Sequence, residues 1–305
     1  MANKKKHLIV LVGPTAIGKT ALSVALAKHF KSEIISADSR QFYKEMSIGT
    51  AIPSQEELLE IPHHFIHHIS VEQEYNVGAF ERDALQLLEE KFQTNDLLFM
   101  VGGSGLYIQA VVEGLDTFPK IDPKIRKKLS NTFQENGITF LQKELLKLDF
   151  AYYQKVDIQN AQRLIRALEI CIGTGKPYSS FLNKNNPTIR NFECIKIGLT
   201  ADRNLLYNRI NQRVDAMMNA GLLNEVEQLL PKKDLNALQT VGYRELFSYF
   251  NAEIPLDIAI EEIKKNTRRY AKRQLTWFRK EEEIKWFNFQ TPYEEIITHI
   301  KSRTI

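Results

Sequence analysis

The chain has 305 residues, 43% of them hydrophobic and 26% charged, with 41 Lys+Arg against 37 Asp+Glu for a formal net charge of +4. Those proportions exclude a collagen-like, low-complexity or generally disordered chain, and no run approaches the ~18 apolar residues that a membrane span needs. The length argues for about two domains, and an excess of +4 is too small to identify a polyanionic partner, so the distribution of charge carries more than its sum.

The N-terminal Lys4-Lys5-Lys6 and the apolar run at 7–12 superficially imitate a signal peptide. The run is too short and leads into a glycine motif instead of a cleavage site, so it reads as a basic tail and a buried first strand. Residues 21–30 have helical spacing, 33–36 read as a second strand ending in Ala37-Asp38-Ser39-Arg40, and 77–92 as an amphipathic helix. Residues 97–101 are a further apolar strand that ends in Gly102-Gly103-Ser104-Gly105, after which helix resumes over 106–112. Short apolar strands alternating with helices argue for a P-loop-type α/β fold on a doubly wound parallel sheet.

The pattern then becomes helical. Asp122-Pro123 is a helix-start pair, and Asp157 is expected to start the helix that carries Gln162 to Arg166 and stops near Gly173 and Gly175. Residues 194–199 return to strand, the chain is helical to about 280, and 286–289 read as a last edge strand. The expected organisation is a first part of the core over 1–118, an all-helical insertion over 119–192, and a return to the core with basic helices over 193–305. Two cysteines, Cys171 and Cys194, lack any CxxC or zinc spacing and read as reduced thiols of a cytoplasmic protein.

Gly13-Pro14-Thr15-Ala16-Ile17-Gly18-Lys19-Thr20 fits GxxxxGK[ST] between a strand and a helix, the context that gives this motif its meaning. Backbone N–H groups turn inward around phosphate oxygens, the helix N-terminus adds positive potential, Lys19 adds a mobile charge and the Thr20 hydroxyl suits Mg²⁺. The expected ligand is a di- or triphosphate. Strand 97–101 ends in glycines where a hydrolytic P-loop protein holds magnesium with a carboxylate, and Asn183-Lys184-Asn185-Asn186 lacks the Asp of a guanine-reading motif. Such a site binds a phosphate chain yet is poorly equipped to activate water, which favours a pyrophosphate leaving group or a nucleophile other than water.

Loops 13–20, 37–41 and 102–105 all follow carboxyl ends of expected parallel strands, where open α/β sheets bind ligands. Asp38 therefore faces the crevice of Lys19, either as a base for an incoming nucleophile or as a magnesium-shell ligand or helix cap. Ser104 is either a donor to substrate or a cap. Lys264, Lys265, Arg268, Arg269, Lys272 and Arg273 spread over one half of a helix without an acid among them, opposite Ile260, Ile263, Tyr270, Gln274 and Trp277. The expected arrangement docks the second face and offers the cations to a phosphate backbone. His63, His64, His67 and His68 alternate like a strand or loop edge and lack the context of a zinc site.

The segments GPTAIGKT, SADSRQFYKEMSIGTA, LFMVGGSGLY, DPKIR, NAQRLIRALE, QTVGYRE and TRRYAKRQLTWFR occur in that order across nearly the whole chain. In that combination the sequence resembles the bacterial tRNA dimethylallyltransferases, the isopentenyltransferases of adenosine. The resemblance implies transfer of a dimethylallyl group from dimethylallyl diphosphate to N6 of the adenosine 3′-adjacent to the anticodon, with release of diphosphate and Mg²⁺ as cofactor. It implies a diphosphate or nucleotide on Gly13, Pro14, Thr15, Ala16, Ile17, Gly18, Lys19 and Thr20, with Thr15 to Thr20 nearest the substrate and Thr20 on the metal. Asp38 would be the base on N6, with Lys19 and Ser104 beside it in catalysis. The tRNA anticodon stem-loop would meet Asp38, Ser39, Arg40, Gln41, Ser104 and Arg126, and the segment Gln162, Arg163, Leu164, Ile165 and Arg166. Ser104 stands where the family usually has Thr, and Ala51-Ile52-Pro53 lacks an expected lysine. The expected enzyme is a cytoplasmic monomer with no membrane partner. An adenylate isopentenyltransferase acting on free nucleotide, a P-loop small-molecule kinase and a non-catalytic RNA-binding P-loop protein are the alternatives.

Overall fold

The computed structural model describes residues 5–182 and 190–304, so Lys4 and residues 183–186 lie outside the described residues. Six strands, β1 (His7–Val12), β2 (Ile34–Ser36), β3 (His63–His64), β4 (Leu97–Gly102), β5 (Glu193–Thr200) and β6 (Lys285–Asn288), form one sheet in the order β3-β2-β4-β1-β5-β6. Every adjacent pair is parallel. The helices in chain order are α1 (Lys19–Phe30), α2 (Gln55–Glu60), α3 (Val77–Lys91), α4 (Gly105–Glu113), α5 (Pro123–Asn136), α6 (Ile138–Leu148) and α7 (Phe150–Tyr153). They continue with α8 (Ala161–Thr174), α9 (Arg203–Asn219), α10 (Leu222–Gln228), α11 (Tyr243–Phe250), α12 (Leu256–Phe278) and α13 (Tyr293–Arg303).

Every residue of β1 is buried because the strand is central and covered on both faces. Leu8, Val10 and Val12 enter one core with Phe42, Phe80, Met100 and Tyr243, while Ile9 and Leu11 enter the other with Leu26, Phe99 and Ile197. The strand order matters most for the site. β4 lies between β2 and β1, so the three loops that leave these strands at their carboxyl ends stand side by side.

The chain divides into two compact units, one of residues 1–112 with 190–305 and one of residues 113–189. Within the second unit, the Asp122 side chain caps α5 by accepting from Lys124 N, and Pro123 occupies its first turn. Asp157 does not start α8. Its carboxylate accepts from Gln159 N in a preceding turn, and Asn160 takes the cap by accepting from Arg163 N, so the helix begins at Ala161. Gly173 lies inside the helix, which ends at Thr174 with Gly175 as its cap.

One carboxylate organises the loop that follows Asp38 in the first unit. Glu225 on α10 accepts from Ser47 N at 3.0 Å, Ile48 N at 2.7 Å, Gly49 N at 2.9 Å and the Tyr243 hydroxyl at 2.6 Å. Gly49 has to be glycine here, because a Cβ would lie 2.5 Å from the buried Tyr243 ring. Replacing Glu225 by Ala strips four donors of their acceptor; with water admitted to all but one or two of them, at ~1–3 kcal/mol for each group left without water or partner, the loss is expected to reach about 3 kcal/mol. Thermal unfolding of Glu225→Ala should show a midpoint lower by roughly 6–12 °C; an unchanged midpoint would contradict this role.

Candidate functional site

The phosphate loop, the Asp38 loop and the second glycine loop meet at the sheet edge. Lys19 Nζ donates to the carbonyls of Gly13 and Pro14, each at 2.9 Å, and so curls over the loop it follows. A cavity of about 360 Å³ is lined by residues 15–20 together with Asp38, Gln41, Arg209, Gln212, Arg213 and Gln274. Gly13 and Pro14 do not line it. Their carbonyls hold Lys19, and proline has no N–H to offer phosphate. A second cavity of about 310 Å³ shares Thr15, Asp38 and Arg213 with the first, and adds Ser39, Arg40, Tyr270 and the apolar Ile210, Val214, Met217 and Ile263. Asp38 therefore stands where a polar, cationic chamber opens on a mixed one, and it is the one carboxylate among the described residues that line them.

Charge in this place is concentrated and poorly solvated. Burial pushes the Lys19 ammonium down to about 8; Asp38 opposes that shift and Arg213 adds to it. Burial likewise lowers Arg213, again opposed by Asp38. Burial raises the Tyr270 phenol, and Asp38 raises it further. Three groups thus register the same carboxylate. Arg209 Nε donates to Ala16 O at 2.9 Å and its guanidinium lies over the Phe289 ring at 5.0 Å, fixing a second cation against the phosphate loop.

Ser104 caps α4 through its carbonyl, which accepts from Tyr107 N and Ile108 N. Its hydroxyl accepts from Ser39 N at 3.0 Å and pairs with the Tyr270 hydroxyl, so Ser104 ties the Asp38 loop to α12. Gln41 is occupied by Ser36 Oγ and by the carbonyls of Thr50 and Ala51, and Arg40 Nη1 donates to the carbonyls of Asn236 and Ala237. Both side chains brace the loop.

Arg126 and the 162–166 segment lie in the second unit. Glu169 gathers two of its cations, pairing with Arg126 at 3.1 Å and Arg166 at 3.2 Å. Leu164 and Ile165 correct the expectation of a continuous contact segment. At 0% and 2% exposure they point into the core of that unit with Leu129, Leu141 and Leu168, because α8 turns its apolar face inward. Gln162, Arg163 and Arg166 are the members that reach the surface.

The expected free cationic half of α12 is also corrected. Lys264 pairs with Asp215 of α9 at 2.8 Å and with Glu261, Lys265 pairs with Glu262, and Arg268 donates to Asn211 Oδ1. Arg269, Lys272 and Arg273 remain exposed, while Ile263 and Gln274 are buried as expected. The four histidines have separate environments. His63 meets Ile61 O, His64 meets Glu33, His67 approaches Ser47 Oγ, and His68 sits among Phe42, Phe65 and Tyr75.

The residues that reading the sequence missed are Arg209, Gln212 and Arg213. Their signal is spacing on one helix: 209, 212 and 213 share a face of α9, beside a buried row of Leu206, Ile210 and Val214. The donor set is hard oxygen, with the Thr20 hydroxyl and the Asp38 carboxylate on the first cavity, which fits magnesium shared with phosphate oxygens and water.

This fold and site define an α/β protein with a glycine-rich loop of the phosphate-binding pattern, one carboxylate beside it and a second, partly apolar cavity. The model of the IPP transferase family matches residues 41–281, and the chain belongs to that family, which is one of prenyltransferases. A tRNA dimethylallyltransferase of Flavobacterium johnsoniae is 58% identical over 303 residues, covering 97% of each chain. One of Christiangramia forsetii is 59% identical over 297 residues, covering 97% of this chain and 98% of its own. Among solved structures, the tRNA isopentenylpyrophosphate transferase of Bacillus halodurans is similar with a TM-score of 0.72 at 37% identity, covering 98% of this chain and 95% of its own. A eukaryotic dimethylallyltransferase acting on tRNA gives 0.77 at 28% identity, covering 98% of this chain and 78% of its own.

The Lys19 shift has a consequence for binding. A lysine whose free-state pKa is about 8 is charged below that pH and neutral above it, and a bound polyanion raises it. Above neutral pH, where the terminal phosphate of a diphosphate monoester is fully ionised, affinity should fall as pH rises through the free-state value, approaching about tenfold per pH unit. Calorimetric titration across that range should show proton uptake on binding, and Lys19→Arg should abolish the slope; an unchanged wild-type affinity at alkaline pH would contradict the assignment.

Proposed function

We propose that the protein, a cytoplasmic monomer, transfers a dimethylallyl group from dimethylallyl diphosphate to N6 of the adenosine 3′-adjacent to the anticodon in tRNA, releasing diphosphate. The observation that carries this reading is the position of Asp38 on both cavities, one lined by Lys19, Arg209, Arg213 and the phosphate-loop residues, the other by an apolar group of Ile210, Val214, Met217 and Ile263 beside Tyr270 and the arginines Arg40, Arg213, Arg244 and Arg273. The relatives' names favour a tRNA acceptor over a free nucleotide or a kinase reaction.

The chemistry follows from the groups present. The adenine N6 lone pair is delocalised into the ring, so the amine is a weak nucleophile and gains from a carboxylate that removes its proton. As the new N6–C1 bond forms, the C1–O bond to diphosphate breaks and the N6 proton passes to Asp38. Lys19, Arg213 and the phosphate-loop amides neutralise charge that develops on the departing oxygens. The Thr20 hydroxyl would hold Mg²⁺ here, and the metal would supply additional positive charge to the leaving group. Ser104 acts by positioning, since its hydroxyl holds Ser39 N and thereby the turn that presents Asp38.

A stacked base cannot reach such a site, so the adenosine has to leave the stack of the anticodon loop. Arg126, Gln162, Arg163 and Arg166 in the helical unit, with the exposed Arg269, Lys272 and Arg273 on α12, supply cations and donors for the phosphate backbone. With magnesium, dimethylallyl diphosphate and an unmodified tRNA carrying adenosine beside the anticodon, the protein should add one dimethylallyl mass to the tRNA. Asp38→Asn should slow transfer by about 10²–10⁴-fold while diphosphate binding persists. ATP consumption with unmodified tRNA would contradict the proposal, and loss of diphosphate binding in Asp38→Asn would make Asp38 a metal ligand instead.

A further inference from the structure

We infer that Gln274 is a positioning residue that sets the spacing between the diphosphate loop and the loops carrying Asp38 and Ser104; this rests on the transfer reaction proposed above. Gln274 is 5% exposed, on the face of α12 that docks against the sheet edge. Its Oε1 accepts from Thr15 N at 2.9 Å and its Nε2 donates to Gly103 O at 3.0 Å. One side-chain amide thus joins the phosphate loop to the second glycine loop, in the manner of a strand bridging two neighbours. A glutamine suits this place because a single planar amide offers an acceptor and a donor together, whereas a carboxylate or a cation leaves one backbone group unpaired and an apolar side chain leaves both.

The surroundings are shaped to the amide. A Cβ at Gly103 would lie 2.0 Å from Gln274 Nε2. One turn earlier on the same face, Tyr270 pairs with Ser104 and registers the charge of Asp38. One turn later, Trp277 packs so closely on Gly105 that a Cβ there would lie 2.2 Å from its Nε1. Tyr270, Gln274 and Trp277 therefore meet the loops after β1 and β4 from one rigid helix, and Ser104 carries the connection on to Ser39 of the Asp38 loop. Thr15, the partner of Gln274 on the phosphate loop, lines both cavities, as does Asp38. Loosening the amide leaves Lys19, Arg209 and Arg213 in place for phosphate, but it frees the two halves of the site to shift against each other.

Gln274→Met removes both hydrogen bonds at nearly constant volume. The expected result is a kcat lower by about 10–100-fold, because a displacement near 1 Å costs about that much, with KM for both substrates and affinity for inorganic diphosphate little changed. Gly103→Ala, whose methyl displaces the amide, should lower kcat alike in the wild type and add no loss to Gln274→Ala. Hydrogen exchange measured on the same variants should quicken together in peptides spanning 13–20 and 102–105, with the rest of the core unchanged. A wild type that does not modify tRNA would fail the proposed reaction while the exchange result still tests the bridge. An unchanged kcat, a raised KM in place of a lowered kcat, additive losses, or exchange that does not quicken would each overturn the inference.

Discussion

The interaction on which the rest of this molecule depends is the electrostatic coupling of one carboxylate to two buried cations, Lys19 beside the glycine loop and Arg213 on α9. Asp38 is felt by Lys19, Arg213 and Tyr270, and each of those groups is displaced from its ordinary protonation behaviour chiefly by burial. Cations held out of water with too little negative charge around them bind a diphosphate strongly, because the ligand supplies what the protein withholds. The same arrangement keeps one carboxylate on the walls of both cavities.

Sheet order makes this coupling possible. With β4 inserted between β2 and β1, the loops after all three strands become neighbours, and the glycines of the middle loop let α12 come close. α9 and α12 then deliver side chains across the top: Arg209 to Ala16 O, Gln274 to Thr15 N and Gly103 O. Glu225 performs a similar service for the wall after Asp38, gathering three consecutive amides and Tyr243. The site is a set of loops held by helices that come from distant parts of the chain.

That distance explains what was legible in the amino-acid sequence. The phosphate loop, β1 and β4 are contiguous and strongly patterned, and Asp38 follows a strand end, so local reading finds them. Arg209 and Gln274 act on partners 193 and 259 residues away, which no local pattern announces. The cations of α12 looked free because their acids lie elsewhere, on α9 at Asp215 or one turn earlier at Glu261 and Glu262. Asp157 and Asn160 are both competent caps, and only the hydrogen bond to Arg163 N decides between them. Leu164 and Ile165 belong to a motif whose polar members reach the surface while its apolar members fill the core, a division that contiguous sequence does not display.

A phosphate loop that lacks a carboxylate after β4 and keeps its base for an amine should not spend its donor on water. The most direct measurement is the release of diphosphate from dimethylallyl diphosphate, followed alongside prenyl incorporation with and without unmodified tRNA. One diphosphate should be released for each modified tRNA, with negligible release when tRNA is withheld. Comparable release in the absence of tRNA would contradict it.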